Sequence, residues 1–275
     1  MPELPDLEVL RDNLTPRIVG RTVRGVEVYR TGLVRTGPDS IAVEGRTFSQ
    51  IGRRGKHLIF SFHGGPHLIV HLMRWGWLWH GPASYPPSRA TILRLALDDG
   101  FDLRLIEPGA QPLAAAWVVP DPVTAEPLQK LGVEPLSDAF TWDAFRALFA
   151  GKRRLLKKVL TDQHLIAGIG NAYADEVLFV AKLSPVRYAH TLTEGDQERL
   201  WRAIPEALRW AIAEIKKRVG DGLFDKEVRD FLYVHGRAGN PCRVCATPVA
   251  EILFDDQRTD FCPRCQGVNQ PMGGA

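Results

Sequence analysis

Residues 241–266 read PCRVCATPVAEILFDDQRTDFCPRCQ, and they contain every cysteine of the 275-residue chain. Cys242, Cys245, Cys262 and Cys265 form two C-x2-C pairs separated by sixteen residues. A disulfide scaffold would spread cysteines along the chain, whereas two tight pairs turn their thiolates toward one point and suit a tetrahedral Zn²⁺. The spacing therefore predicts one structural zinc held by two knuckles, with a strand from Thr247 to Phe254 between them. So few apolar residues lie between 234 and 270 that this zinc finger needs its metal to fold. Four-thiolate sites are closed and non-catalytic, and they serve protein contacts as well as DNA contacts, so the spacing leaves the partner open.

Upstream of the finger the periodicity is helical. Helices are expected over Thr141–Ala150, Arg153–Asp162, Asn171–Lys182 and Thr193–Val219; the last carries an apolar stripe of Leu200, Ile204, Leu208, Ile212, Ile215 and Val219. Thr193 and Asp196 approximate a capping box. Gly168 and Gly170 allow close backbone approach to an anion, and Asn171 is positioned to cap the following helix, whose N-terminus favours negative charge.

Further upstream, Pro120, Pro122, Pro127 and Pro135 punctuate a weak pattern and mark a linker. Before them, Thr22–Tyr29, His57–Phe62, His67–Leu72, Thr91–Leu97 and Asp102–Ile106 are short β-type runs, which predicts a β-sandwich. A helix precedes them: Leu7, Leu10, Leu14 and Ile18 recur at helical spacing, with Pro5 at its first position and Gly20 ending it. The expected fold class is α+β. The expected domains are a β-sandwich with flanking helices over 1–120, a linker over 121–138, a helical domain over 139–233 and the β-hairpin zinc finger over 234–270.

The net charge of +3 is small but uneven. Residues 11–80 hold eleven Lys and Arg against four Asp and Glu, residues 81–150 hold five against nine, and the run Lys152–Lys158 adds five positive charges. A solvated helix face and a polyanion partner both accommodate this pattern. No stretch has the apolar length of a membrane span or the form of a signal peptide, so the expected location is cytoplasmic.

The start of the chain offers chemistry. Removal of Met1 would leave Pro2 with a secondary amine of pKa near ~8, partly uncharged and nucleophilic at neutral pH. Glu3 beside it can act as a general acid. By itself a Pro-Glu start is common and reads first as a disordered terminus.

Five segments in order change that balance: Met1-Pro2-Glu3-Leu4-Pro5-Asp6-Leu7-Glu8, Arg54-Gly55-Lys56-His57-Leu58, His71-Leu72-Met73, Gly168-Ile169-Gly170-Asn171-Ala172-Tyr173 and His235-Gly236-Arg237 before the cysteines. Together they resemble the formamidopyrimidine-DNA glycosylase and endonuclease VIII family over essentially the whole chain. The resemblance implies a helix-two-turn-helix domain in the helical region and a DNA glycosylase with AP lyase activity in base excision repair. It implies that Pro2 attacks C1′ to form a Schiff base resolved by β- and δ-elimination, that Glu3 assists sugar opening and that Lys56 holds a phosphate. It further implies DNA contacts from Lys157, Asn171 and Arg258, a wedge at Met73 or Arg74, and another family position at Glu176, which as a lone carboxylate is structural first. The implied partner is damaged duplex DNA with a flipped nucleotide, bound by a monomer of bacterial type working at the nucleoid. A zinc-containing DNA-binding protein without catalysis remains the alternative.

The sequence also departs from that family. The Arg-Arg-Phe group that fills the space of the flipped nucleotide is replaced by the stretch 107–113, Glu-Pro-Gly-Ala-Gln-Pro-Leu; the segment 220–234 is shorter than the loop covering 8-oxoguanine; Asp6 stands for a glutamate; and Arg258 lies four residues before Cys262 instead of five. Trp75, Trp77 and Trp79 alternate as on one strand face, packing the sandwich or stacking on unpaired bases.

Overall fold

The computed structural model describes residues 1–36, 41–109, 113–254 and 257–267. The elements are α1 (Leu4–Ile18), β1 (Val23–Val28), β2 (Phe48–Arg54), β3 (His57–Phe62), β4 (His67–His71), β5 (Trp77–Pro82), β6 (Thr91–Leu97), β7 (Phe101–Ile106), β8 (Ala115–Val119), α2 (Glu126–Gln129), α3 (Trp142–Phe149), α4 (Leu156–Leu160), α5 (Asn171–Val180), α6 (Glu194–Val219), β9 (Ala250–Phe254) and β10 (Gln257–Phe261). They divide into two compact units. Met1–Lys130 and Ile215–Glu227 form the first; Leu131–Glu214 and the described residues from Val228 onward form the second.

In the first unit two antiparallel four-stranded sheets, ordered β1-β6-β7-β5 and β2-β3-β4-β8, enclose one core. Alternation places Leu93, Leu95, Leu103 and Leu105 from one sheet and Phe60, Phe62, Leu68 and Val70 from the other in the shared apolar cluster. The same cluster takes in Leu7, Leu10, Leu14 and Ile18 of α1, the residues whose spacing marks the helix. That anchors the first helical turn, and with it residues 2–6. The helix starts one residue earlier than the proline suggests: Glu3 is its N-cap, and Glu3 N donates to Asp6 Oδ2 at 2.8 Å in a capping box. Residues 215–227 also belong to this unit, with Leu223 and Phe224 packed on its core.

The tryptophan expectation holds for two residues of three. β5 begins at Trp77, so Trp77 and Trp79 share a strand face, while Trp75 lies in the preceding turn and is 62% exposed. The cause is a reversal at 72–76, where Met73 takes a positive φ of 53° and Gly76 N donates to Leu72 O at 3.0 Å. Gly76 has no substitute there, because a Cβ would sit 2.4 Å from Leu72 O.

In the second unit the basic run forms only the short helix α4, and Arg154 pairs with Asp162 at 2.7 Å. Thr141 caps α3, and Thr193 with Asp196 forms the reciprocal bonds of the expected box at the start of α6. Glu176, fully buried on α5, accepts the backbone N–H groups of Tyr233, Val234 and His235 at 2.8–2.9 Å and so fixes the chain entering the finger. Burial raises its pKa against those three bonds. Among the described residues no helix is long and apolar enough to cross a membrane.

Candidate active site

A cavity of about 330 Å³ opens beside Pro2 in the first unit. Its apolar lining includes Leu7, Leu10, Leu72, Trp75, Trp77 and Phe224, and its charged lining Asp6, Arg74, Asp225, Lys226 and Glu227. Met1 bears the terminal ammonium, which pairs with Glu227 Oε1 at 2.8 Å. Glu3 and Asp6 are buried behind Pro2, tied together by the capping box. Lys56, 7% exposed, follows Gly55 in the β2–β3 turn, where the glycine's φ of 55° brings the strand back on itself. Burial pulls the Lys56 pKa down, and the carboxylates of Glu3 and Asp6 push back. The adjacent Pro2 and Glu3 and the sequence-distant Lys56 thus lie at one end of α1.

Behind the lysine, His57 and His71 face each other edge to face at 4.6 Å. Burial is the main cause holding their pKa values at about 4 and about 3, respectively, with neighbouring positive charge adding to it, so both are neutral at pH 7. A neutral His71 accepts from Met73 N through Nδ1 at 2.9 Å. That bond fixes the turn carrying Met73, half-buried, and Arg74, which is exposed and lines the Pro2 cavity. Part of the stretch expected to replace the missing fillers, residues 110–112, lies outside the described residues; Glu107 next to it is buried and accepts from Leu113 N and Ala114 N.

The second unit holds the remaining candidates. Asn171 is the first residue of α5, and Gly170, not Asn171, is its N-cap, which corrects the expected capping role. The Asn171 side-chain oxygen is buried with no hydrogen-bond partner, in contrast to a cap, whose oxygen would accept from the helix. Arg258 on β10 is exposed and pairs through Nε with Glu251 Oε2 at 2.5 Å.

Lys157 departs from its expected place at a phosphate. It is 3% exposed, pairs with Asp175 Oδ1 at 2.6 Å and donates to Arg258 O at 2.8 Å and Thr259 Oγ1 at 2.9 Å. An ion pair and two hydrogen bonds thus hold the ammonium, and the side chain ties α4 to α5 and to the finger hairpin. Asp175 also pairs with His235 Nδ1 at 2.8 Å, and Asp260 accepts from Gly236 N at 2.6 Å. No local pattern in the sequence announces this network, since its members come from four segments.

The four cysteine Sγ atoms all lie within 4.8 Å of one another. Cys242 to Cys265 is 3.9 Å and Cys245 to Cys262 is 3.4 Å, against the ~3.8 Å between sulfurs around a tetrahedral zinc. Val244 N points at Cys242 Sγ and Cys265 N at Cys262 Sγ, both at 3.4 Å, the bonds that stabilise thiolates in a knuckle. Ala246, with φ 62°, and Gly267, with φ 65°, close the two turns. The donor set fits one structural zinc. The finger's end at residues 268–270 lies outside the described residues.

Three family models match the chain: the formamidopyrimidine-DNA glycosylase N-terminal domain over residues 1–109, the formamidopyrimidine-DNA glycosylase H2TH domain over 131–221, and the zinc finger found in FPG and IleRS over 239–268. Formamidopyrimidine-DNA glycosylases of Symbiobacterium thermophilum (37% identity, 98% of this chain and 90% of that protein) and Thermus thermophilus (38%, 97% and 99%) are similar over nearly their whole lengths. Among solved structures, the MutM (Fpg) protein of Thermus thermophilus superposes with a TM-score of 0.82 at 36% identity, covering 97% of this chain and 99% of that one. Lactococcus lactis Fpg in complex with abasic-site DNA superposes with a TM-score of 0.86 at 28% identity, covering 96% and 99%. With its α+β fold, its helix-two-turn-helix and zinc finger modules and its sequence all in agreement, the chain belongs to the formamidopyrimidine-DNA glycosylase family, the DNA glycosylases of base excision repair.

Proposed function

We propose that this protein excises oxidised or ring-opened bases from duplex DNA and then cleaves the strand, using the Pro2 amine, exposed by removal of Met1, for both steps. The observation that carries the reading is the convergence of Pro2, buried Glu3 and Asp6, and buried Lys56 at one end of α1. The Pro2 nitrogen bonds to C1′ as the C1′–N bond breaks and the base leaves with a proton. Glu3 delivers a proton to O4′ as the sugar opens, leaving an iminium ion. A secondary amine gives an iminium with no N–H to lose, so the cation persists as an electron sink. Loss of a C2′ proton then expels the 3′ phosphate, and a second elimination expels the 5′ phosphate. Lys56 holds a phosphate beside the reacting sugar, where its burial strengthens the charge interaction.

Asn171 and Arg258 contact phosphates flanking the lesion, and Met73 or Arg74 enters the duplex where the nucleotide has left. Lactococcus lactis Fpg is known in complexes with abasic-site DNA and with Fapy-dG DNA, which supports damaged DNA as this chain's partner. The target sugar is reached by flipping, since the nucleophile cannot approach it inside the stack. The protein works as a monomer, its zinc serving only to fold the finger.

Borohydride added to the protein and abasic-site duplex should reduce the iminium and trap a covalent complex. Failure to trap one with protein lacking Met1 would favour a DNA-binding protein without catalysis.

A further inference from the structure

We propose that Trp75 is the residue that reads the damaged base, by stacking its indole on the flipped ring, so that the pocket favours planar over ring-saturated lesions. The inference rests on the excision reading above and adds its substrate class. Trp75 is a large apolar side chain left 62% exposed, on the wall of the same cavity as Pro2. Exposure of an indole is unfavourable unless a partner covers it, and Trp77 and Phe224 add further aromatic surface to the cavity.

The turn that carries Trp75 is already ordered. Gly76 N bonds to Leu72 O, Met73 N bonds to the neutral His71, and the backbone at Gly76 lies so close to Leu72 that only a glycine fits. A platform ordered beforehand gives up little entropy when a base lands on it. Among the described residues, the polar side chains lining the cavity are Asp6, Arg74, Asp225, Lys226 and Glu227 beside the two indoles, and stacking on Trp75 adds a contact that does not depend on the edge of the base. Stacking tolerates every base because every base has a π face, so purine- and pyrimidine-derived lesions both qualify. A ring-saturated lesion such as dihydrothymine is puckered and loses that contact.

The test is single-turnover kinetics of wild type, W75A and W75F on duplexes with formamidopyrimidine-guanine, 5-hydroxycytosine, dihydrothymine or an abasic site. W75A should lose about tenfold to a hundredfold on the two planar lesions. Its loss on the abasic site, where there is no base to stack on, should be at least tenfold smaller, and W75F should recover most of the planar-lesion rate. Wild type should prefer both planar lesions to dihydrothymine. Equal losses of W75A on planar and abasic substrates would overturn the inference by assigning Trp75 to the duplex, as would an unchanged W75A. If wild type cleaves no abasic site and traps no adduct, the excision reading itself fails and takes this inference with it.

Discussion

Pro2 and the zinc-binding cysteines occupy the two ends of the chain, and they are positioned by different forces. The Pro2 end is anchored by ordinary apolar burial: Leu4, Leu7, Leu10, Leu14 and Ile18 are all at or below 2% exposure, and the capping box fixes the turn they support. The cysteine end has a small apolar cluster of Phe179, Val234, Cys242, Val249 and Cys262, and depends instead on a metal and on buried charge. The first turn of α1 is thus held by a rigid core, whereas a hairpin too small for a core is fixed by coordination and ion pairs. The two regions should therefore fail under different insults.

The largest expected effect is metal removal. Structural zinc contributes ~10–16 kcal/mol to such small modules, so chelation should unfold residues 239–267 and abolish tight DNA binding. Hydrogen exchange should then show lost protection in β9 and β10 and none lost in α1 or β3. Loss of protection in both regions would erase the distinction drawn between them.

Next in size is Lys157→Met, which leaves the buried Asp175 without its ammonium. Breaking a buried pair from one side costs ~3–5 kcal/mol, read as a fall in the denaturation midpoint of the second unit. A variant as stable as wild type would mean that the Lys157 network is incidental to the hairpin.

Acid should discriminate in the opposite direction. In the unfolded chain each imidazole takes a proton near pH 6.5, but in the fold His57 does so only at about 4 and His71 at about 3. The unfolded state therefore binds more protons in between, and stability that is complete above pH 6.5 is lost as pH falls toward 4. His57 alone accounts for ~3 kcal/mol, and protonation of His71 removes the acceptor for Met73 N. A urea midpoint for the first unit that stays flat from pH 7 to 4 would contradict this burial.

The smallest effect is that of Arg258→Ala. Arg258 is exposed and already paired with Glu251, so its loss should weaken DNA binding only severalfold and lower the salt dependence of log K by about one ion, without touching stability. An unaltered salt slope would remove Arg258 from the phosphate contacts.

These residues differ in how well the sequence announces them. The cysteines and the Pro2-Glu3-Asp6 start are legible because their partners lie within a few positions, and so is α1, whose buried face follows from spacing alone. Lys157 is not. A run of five cations in seven residues reads as solvated, and what buries one of them is a carboxylate 18 residues on and a hairpin about a hundred residues on. Trp75 is misleading for a local reason: alternation with Trp77 and Trp79 suggests one strand, but the positive φ at Met73 and the tight contact at Gly76 break the strand before it. Residues 215–227 join the first unit because Leu223 and Phe224 pack on its core, which their position at the end of a helical stretch does not disclose.

The most direct measurement is to locate the borohydride-trapped sugar by mass spectrometry of the N-terminal peptide, using protein whose Met1 has been removed. A reduced deoxyribose remnant on the nitrogen of Pro2 is the expected result. A remnant on a lysine, Lys56 included, or a chain that traps DNA while still carrying Met1, would contradict it.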